Sequence, residues 1–193
     1  FLAGSGMNGP FLAEVLSGML AHERCGRHLY RTCETRSTNP VLQAKYREFG
    51  AETEQHVEIL EKLISDGGGS PMYVGPTARA VTGTDTRLVE STYALGGSLD
   101  LVTAELALLD AVFLAESMDH ANWQLFSELA ETLQGTPWDE PFRDAAGEGE
   151  PQEDEHLQWA TTTKARIVML QASAPNPADP VELESSVRDW LAE

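Results

Sequence analysis

The sequence predicts an all-α protein, an antiparallel four-helix bundle with a long crossover between helices 2 and 3 and a short C-terminal helix. Apolar residues recur at helical spacing along four long segments, and alternating β-branched runs are almost absent. A stretch rich in Gly, Ser and Pro at residues 65–75 separates the second segment from the third. Four amphipathic helices with one long connection are typical of a bundle with a crossover.

The first two helices have clear start and stop signals. The first is predicted over Pro10 to Arg36, because proline suits a first helical turn and the residue before Pro40 disfavours the helical conformation. Asn39 can cap the second helix, which is predicted to begin at Pro40 and to end near Ile64.

The third and fourth helices are less sharply bounded. Residues 86–95 are weakly helical, and Ser98 is expected to cap a third helix that reaches about Leu133. The fourth helix is predicted firmly over residues 152–171. An earlier start at Asp139 would be interrupted by the Gly and Pro residues at 147–151.

The 193 residues suit one domain with tails. Residues 1–9 are expected to be disordered or derived from expression, and residues 10–172 to form the bundle. Residues 173–193 are expected to form a linker and a short helix from Pro180. That helix is too short to be stable alone, so it should dock on the bundle or on a partner subunit.

The charge balance excludes some classes of partner. Asp and Glu total 31 against 13 Lys and Arg, which gives a net charge of −18, so nucleic acid and anionic membrane surfaces would be repelled. No segment is apolar enough to span a membrane, and no signal peptide is expected. Cys25 and Cys33 would lie about 12 Å apart on one helix, too far for a disulfide. They are expected to be reduced thiols in the cytoplasm.

Seven acidic and imidazole side chains fall on the apolar stripes of the helices, where a bundle core should be apolar. They are Glu23 on the first helix, Glu52 and His56 on the second, Glu116 and His120 on the third, and Glu153 and His156 on the fourth. Their positions along the helices place them near one level. A dinuclear iron or manganese site is built in this way, with Glu from two helices and Glu-x-x-His from two others.

Over roughly residues 10–172 the chain resembles the ferritin-like superfamily. Glu153 and His156 match its Glu-x-x-His pattern, and Glu23 matches its lone first-helix Glu. The segments Glu52-Thr53-Glu54, Val57-Glu58 and Leu60-Glu61 are similar to the YciE/YciF-type stress-response family, as is Asp119-His120. The resemblance implies two iron or manganese ions, dioxygen or peroxide as substrate, and an oxidase or peroxidase-like activity in a stress-protection role.

Two departures keep an alternative open, a metal-free four-helix bundle with a structural or interaction role. Thr53 stands where the pattern requires Glu three residues before His56, and Asn122 replaces an acid on the third helix. His22 and His28 are expected to be structural histidines. Glu105 is expected to be a partly exposed acid.

The quaternary structure is expected to be a homo-oligomer, with a dimer favoured. Arg24, Arg27 and Arg31 form a basic strip on the first helix. This strip is either a solvated face that pairs with nearby acids or an interface in a dimer.

Overall fold

The structure, a computed structural model, describes residues 1–94, residues 101–173 and the single residue Asp189. Residues 1–94 and 101–173 contain five helices. They are α1 (Gly9–Arg36), α2 (Pro40–Asp66), α3 (Pro76–Ser91), α4 (Leu101–Thr132) and α5 (Asp139–Ser173). No strand occurs among these described residues. The predicted all-α bundle with a crossover between its second and third long helices is confirmed.

The bundle consists of two antiparallel helix pairs, α1 with α2 and α4 with α5, and α3 lies in the crossover against α1. Ion pairs follow the first pair: Arg24 binds Glu61 at 2.8 Å, and Arg27 binds Glu54 at 2.7 Å. Two of the three arginines of the basic strip on α1 therefore pair with acids of α2 in the same chain.

The helix boundaries follow the capping residues. The side chain of Asn39 accepts hydrogen bonds from the backbone N–H groups of Val41 and Leu42, and Pro40 occupies the first turn of α2. Helix α3 begins at Pro76, ten residues before the expected weak helix. The predicted cap Ser98 and the predicted C-terminal helix from Pro180 lie outside the described residues.

Helix α5 is continuous from Asp139, and the expected interruption at residues 147–151 is wrong. Pro151 lies inside the helix. Gly149 is buried because the indole of Trp123 covers it: a Cβ placed there would lie 2.4 Å from the ring. The glycine thus serves close helix packing rather than helix termination.

The N-terminal residues, expected to be disordered, pack against the bundle. Leu2 is buried in the core and its backbone N–H donates to the carbonyl of Gly67 at 2.9 Å. The indole N–H of Trp138 donates to the carbonyl of Ala3 at 2.9 Å. These contacts bind the segment to the ends of α2 and α5.

The core is divided into two apolar clusters by a polar layer. One cluster includes Leu16, Leu60 and Phe126, and the other includes Tyr46 and Leu109. The buried acids and imidazoles of all four bundle helices lie between them. No helix in the described ranges has the length and apolar character to cross a bilayer.

Candidate metal centre

The polar layer is centred on Glu153 of α5. Its carboxylate belongs to two groups of three buried residues whose ligand atoms lie within 4.8 Å of one another. The first group is Glu23, His56 and Glu153, and the second is Glu116, Glu153 and His156. Each bundle helix therefore contributes to the cluster, and Glu153 is common to both groups.

Both imidazole rings turn Nδ1 toward the shared carboxylate. Nδ1 of His56 lies 3.0 Å from Oε1 of Glu153 and 3.6 Å from Oε1 of Glu23. Nδ1 of His156 lies 3.3 Å from Oε1 of Glu153 and 3.4 Å from Oε2 of Glu116. The two rings thus approach the same carboxylate oxygen.

The Nε2 atoms of the two imidazole rings contact side chains that are outside the two groups of three. Nε2 of His56 lies 2.7 Å from Oε1 of Gln152, and Nε2 of His156 lies 2.7 Å from Oε2 of Glu52. When Nε2 carries the hydrogen, each ring donates to that side-chain oxygen, and Nδ1 is directed toward Glu153. A metal-binding histidine is commonly oriented by such an outer acceptor.

Two aromatic side chains orient the terminal carboxylates. The indole N–H of Trp123 donates to Oε1 of Glu23 at 2.6 Å, and the hydroxyl of Tyr30 donates to Oε1 of Glu116 at 2.7 Å. These bonds engage Oε1 of each carboxylate, and Oε2 of each has no hydrogen-bond partner outside the cluster.

Six buried atoms of the cluster have no hydrogen-bond partner outside it. They are Oε2 of Glu23, Nδ1 of His56, Oε2 of Glu116, both carboxylate oxygens of Glu153, and Nδ1 of His156. Buried polar atoms are rarely left unpaired. Carboxylate oxygens and imidazole nitrogens are ligands of iron and manganese, so this donor set fits a pair of such cations.

The electrostatics show strong coupling between acids and imidazoles. Burial alone would lower the pKa of both imidazoles, but the adjacent carboxylates outweigh it and raise the pKa of His56 to about 10 and that of His156 to about 11. Burial and the neighbouring Glu153 raise the pKa of Glu116 to about 7. Burial would raise the pKa of Glu153, but the two imidazoles hold it below its usual value.

The structure adds a buried acid that the sequence interpretation did not place in the site, Asp119 of α4. Burial, and then the charges of Glu23, Glu153 and Glu116, raise its pKa well above the usual value. The signal for its position is its spacing from Glu116: Asp119 continues the buried positions of α4 at steps of three and four residues, through Trp123.

The structure does not bring His120 into the cluster. Its Nδ1 forms an ion pair at 2.9 Å with Asp154, whose side chain is 60 % exposed. His120 lies outside both groups of three, and its expected role as a ligand stays a prediction. Glu52 reaches the site only through Nε2 of His156 and is absent from both groups of three.

The two sequence departures have different surroundings. Thr53 is buried in α2, and its hydroxyl donates to the carbonyl of Phe49 at 2.9 Å, so it offers no ligand to the centre. Its methyl group lies 3.5 Å from the position that a Cβ of Gly26 would occupy. Asn122 is half-buried and lies outside the cluster.

Two other polar residues, His22 and Glu105, make buried structural contacts. His22 is buried, with Nδ1 2.7 Å from Oδ2 of Asp85 and Nε2 3.0 Å from the carbonyl of Ala115. His28 is exposed. Glu105 is buried rather than partly exposed, since its carboxylate binds the turn that begins α2.

The comparisons with known proteins concern the fold. No protein-family model matches the sequence, and no curated protein matches it. Among solved structures, the chain is similar to the dodecameric thioferritin of Bacteroides fragilis, a bacterioferritin-related protein. The sequence identity is 15 %, the TM-score is 0.56, and the match covers 88 % of this chain and 94 % of that chain. The fold of this protein is therefore ferritin-like.

Proposed function

We propose that the chain is a ferritin-like protein that binds two ions of iron or manganese and reacts with dioxygen or hydrogen peroxide. The observation that carries the proposal is the position of Glu153. Its carboxylate belongs to both groups of three, and its oxygens have no hydrogen-bond partner outside the cluster. A carboxylate that two groups of candidate ligands share would help to hold both cations.

The other residues of the two groups form two sets around Glu153. Glu23 and His56 would hold one ion, and Glu116 and His156 would hold the other. A bound metal pair would supply the electrons that reduce the oxidant. The two outer acceptors, Gln152 and Glu52, keep the imidazole Nδ1 atoms directed inward, and the apolar clusters on either side exclude bulk water.

Metal content tests the proposal. Protein purified without chelator and reconstituted with Fe(II) or Mn(II) should contain two ions per chain by elemental analysis, with both located by anomalous scattering. Glu153→Ala should lose both ions, because it removes the shared ligand. Glu155→Ala is the matched control: this exposed acid lies two residues further on α5, binds Lys45 at 3.2 Å, and should leave the metal content unchanged. Absence of both metals after reconstitution would refute the proposal.

The reaction and the cellular role extend the same proposal. Consumption of dioxygen or peroxide by the loaded protein, lost in Glu153→Ala, is the expected activity. A stress-protection role follows from the resemblance to the YciE/YciF-type family, and a cytoplasmic location is proposed because Cys25 and Cys33 are free thiols.

We also propose a homo-oligomer, with a dimer as the favoured unit. The similar thioferritin is dodecameric. Iron storage would require a closed shell of many copies, and light scattering coupled to size-exclusion chromatography separates such a shell from a dimer.

One observation favours the alternative of a metal-free structural bundle, and that observation is Thr53. The position at which the Glu-x-x-His pattern requires a glutamate carries a hydroxyl that donates to the backbone of its own helix. In this alternative the imidazoles are cations paired with the buried acids. Glu23→Ala and His156→Ala would then change stability only and leave the metal content as it is in the unsubstituted protein.

A further inference from the structure

An apolar strip runs along the outer side of α4, opposite the metal centre. Leu114, Met118, Ala121 and Leu125 follow one another at intervals of four, three and four residues and share one side of the helix. The three large side chains are 54 %, 37 % and 42 % exposed, and Ala121 is exposed as well. Single exposed apolar residues are ordinary, but a continuous line of them marks an interaction surface.

The strip is uncharged although 23 % of the residues in this chain are charged. Within residues 111–125 the acids of α4 are Glu116 and Asp119, and both are buried. The nearest exposed charged residues of α4 itself, Asp110 and Glu128, stand beyond the two ends of the strip. The exposed face of α2, by contrast, carries charged residues throughout: Arg47, Glu48, Glu58 and Lys62.

The strip is symmetric about a point midway between residues 119 and 120. Leu114 and Leu125 are equally distant from this point, and so are Met118 and Ala121. A second copy related by a twofold axis at this point would place Leu114 against Leu125 and the large Met118 against the small Ala121. Intervals of four and three residues are also those of helices that pack along a common seam.

We propose that α4 is the contact between two copies of this chain, which pack their strips antiparallel about a twofold axis. The occupant of the surface is a second copy because the same four residues complement themselves in size when the helix is reversed. Such an isologous contact needs a single patch that is self-complementary, and this strip meets that requirement.

Charge predicts how this contact responds to salt. Each copy carries a net charge of −18, so two copies repel each other, and the contact gains no attraction from ion pairs along the strip. Salt screens the repulsion and leaves the apolar contact, so association should strengthen as ionic strength rises. An interface built from ion pairs would weaken instead.

The first test is the mass of the full chain in solution, measured by sedimentation equilibrium at low and high salt. The unsubstituted protein should associate, more strongly at high salt. The double variant Leu114→Glu/Leu125→Glu should lose that association and give a smaller mass with unchanged helical circular dichroism. Phe11→Glu is the matched control, because Phe11 is an apolar residue of α1 that is 63 % exposed. The mass of this variant in solution should equal that of the unsubstituted protein.

The second test measures the geometry, and it stays informative if the double variant does not fold. Single spin labels at Gln124→Cys, Glu128→Cys and Glu131→Cys, in a Cys25→Ser background, report the distance between equivalent positions of two copies from outside the strip. In an antiparallel pair these positions are offset along the axis by about 14, 26 and 35 Å. The measured distances should therefore increase in that order, whereas a parallel pair would give equal distances.

The proposal rests on the homo-oligomer proposed above and is independent of metal binding. A folded double variant that keeps the mass of the unsubstituted protein, or label distances that do not increase, would overturn the α4 contact alone. A monomeric unsubstituted protein at both salt concentrations would overturn the contact and the homo-oligomer together. Neither result would alter the metal content that tests the centre.

Discussion

Substitution of Gly149 by alanine should destabilise the protein although alanine favours a helix. A Cβ at Gly149 would lie 2.4 Å from two atoms of the Trp123 ring and 2.6 Å from a third. Carbon atoms in contact stand about 3.5 Å apart, so the indole must move by roughly 1 Å. Trp123 is fully buried and donates to Glu23, so this movement strains the core and weakens a hydrogen bond to a proposed ligand.

The magnitude follows from two opposing effects. Replacing Gly by Ala inside a helix gains about 1 kcal/mol, while overpacking of a rigid core costs about 1–3 kcal/mol. Loss of a hydrogen bond to a charged group adds about 1.5–3 kcal/mol. Gly149→Ala should therefore be net destabilising by about 1.5–5 kcal/mol. Each kcal/mol corresponds to about 2–4 °C in Tm for a chain of this length.

Gly147 provides the matched control. It lies two residues earlier on the same helix and a Cβ there would meet nothing within 4 Å. Gly147→Ala should therefore raise stability by up to about 1 kcal/mol. Urea unfolding followed by circular dichroism compares the two variants in metal-free protein. Equal stabilities for Gly149→Ala and Gly147→Ala would refute the reasoning, because helix propensity alone would then explain both.

Three further predictions concern acidity and capping. The pKa values of His56 and His156 are raised from 6.5 to about 10 and about 11, so chelator-treated protein should lose Tm as pH rises from about 6.5 toward 10. A flat Tm over that range would contradict the buried ion pairs. The carboxylate of Glu105 accepts hydrogen bonds from the backbone N–H groups of Thr38 and Asn39 at 2.7 and 3.2 Å. Glu105→Ala should therefore lower the free energy of unfolding in urea by about 2–4 kcal/mol, and Glu105→Gln should lower it less. Equal losses in the two variants would disprove the acceptor role. Burial, and then the charge of Asp85, raise the pKa of the Cys25 thiol to about 11. Alkylation of Cys25 by iodoacetamide, followed by intact-mass measurement, should therefore be slow at pH 7.5 and accelerate about tenfold per pH unit. Rapid labelling at neutral pH would contradict this.

The long helices could be predicted from the sequence because their signals are local. Asn39 with Pro40 marks the start of α2 in both sequence and structure. Helix α3 gave no comparable signal, since only Ala78 and Asp85 are buried in its 16 residues. Asp85 is buried because it binds His22 on α1, and such a tertiary partner leaves no apolar periodicity in the sequence.

The site was predictable to the level of the helix but not of every residue. Five of the seven expected side chains belong to the two ligand groups. Asp119 and His120 stand three and four residues after Glu116. Both spacings keep a side chain near the face of Glu116, so helical spacing alone does not decide which of the two faces inward. The remaining buried positions of α4, continuing to Phe126, decide in favour of Asp119. The contacts of Tyr30 and Trp123 with the carboxylates are tertiary and have no sequence signature.

The polar layer between the two apolar clusters also has a consequence for the alignment of the helices. If one helix slipped lengthwise by a single turn, Glu153 would move by about 5.4 Å, away from its imidazoles and into a cluster that contains Tyr46 and Leu109. A buried carboxylate without a partner is strongly disfavoured, whereas a purely apolar core would tolerate such a slip far better. We infer that the layer fixes the register of the bundle, whether or not metal is bound. A variant with an apolar layer that kept a single set of amide resonances would contradict this inference.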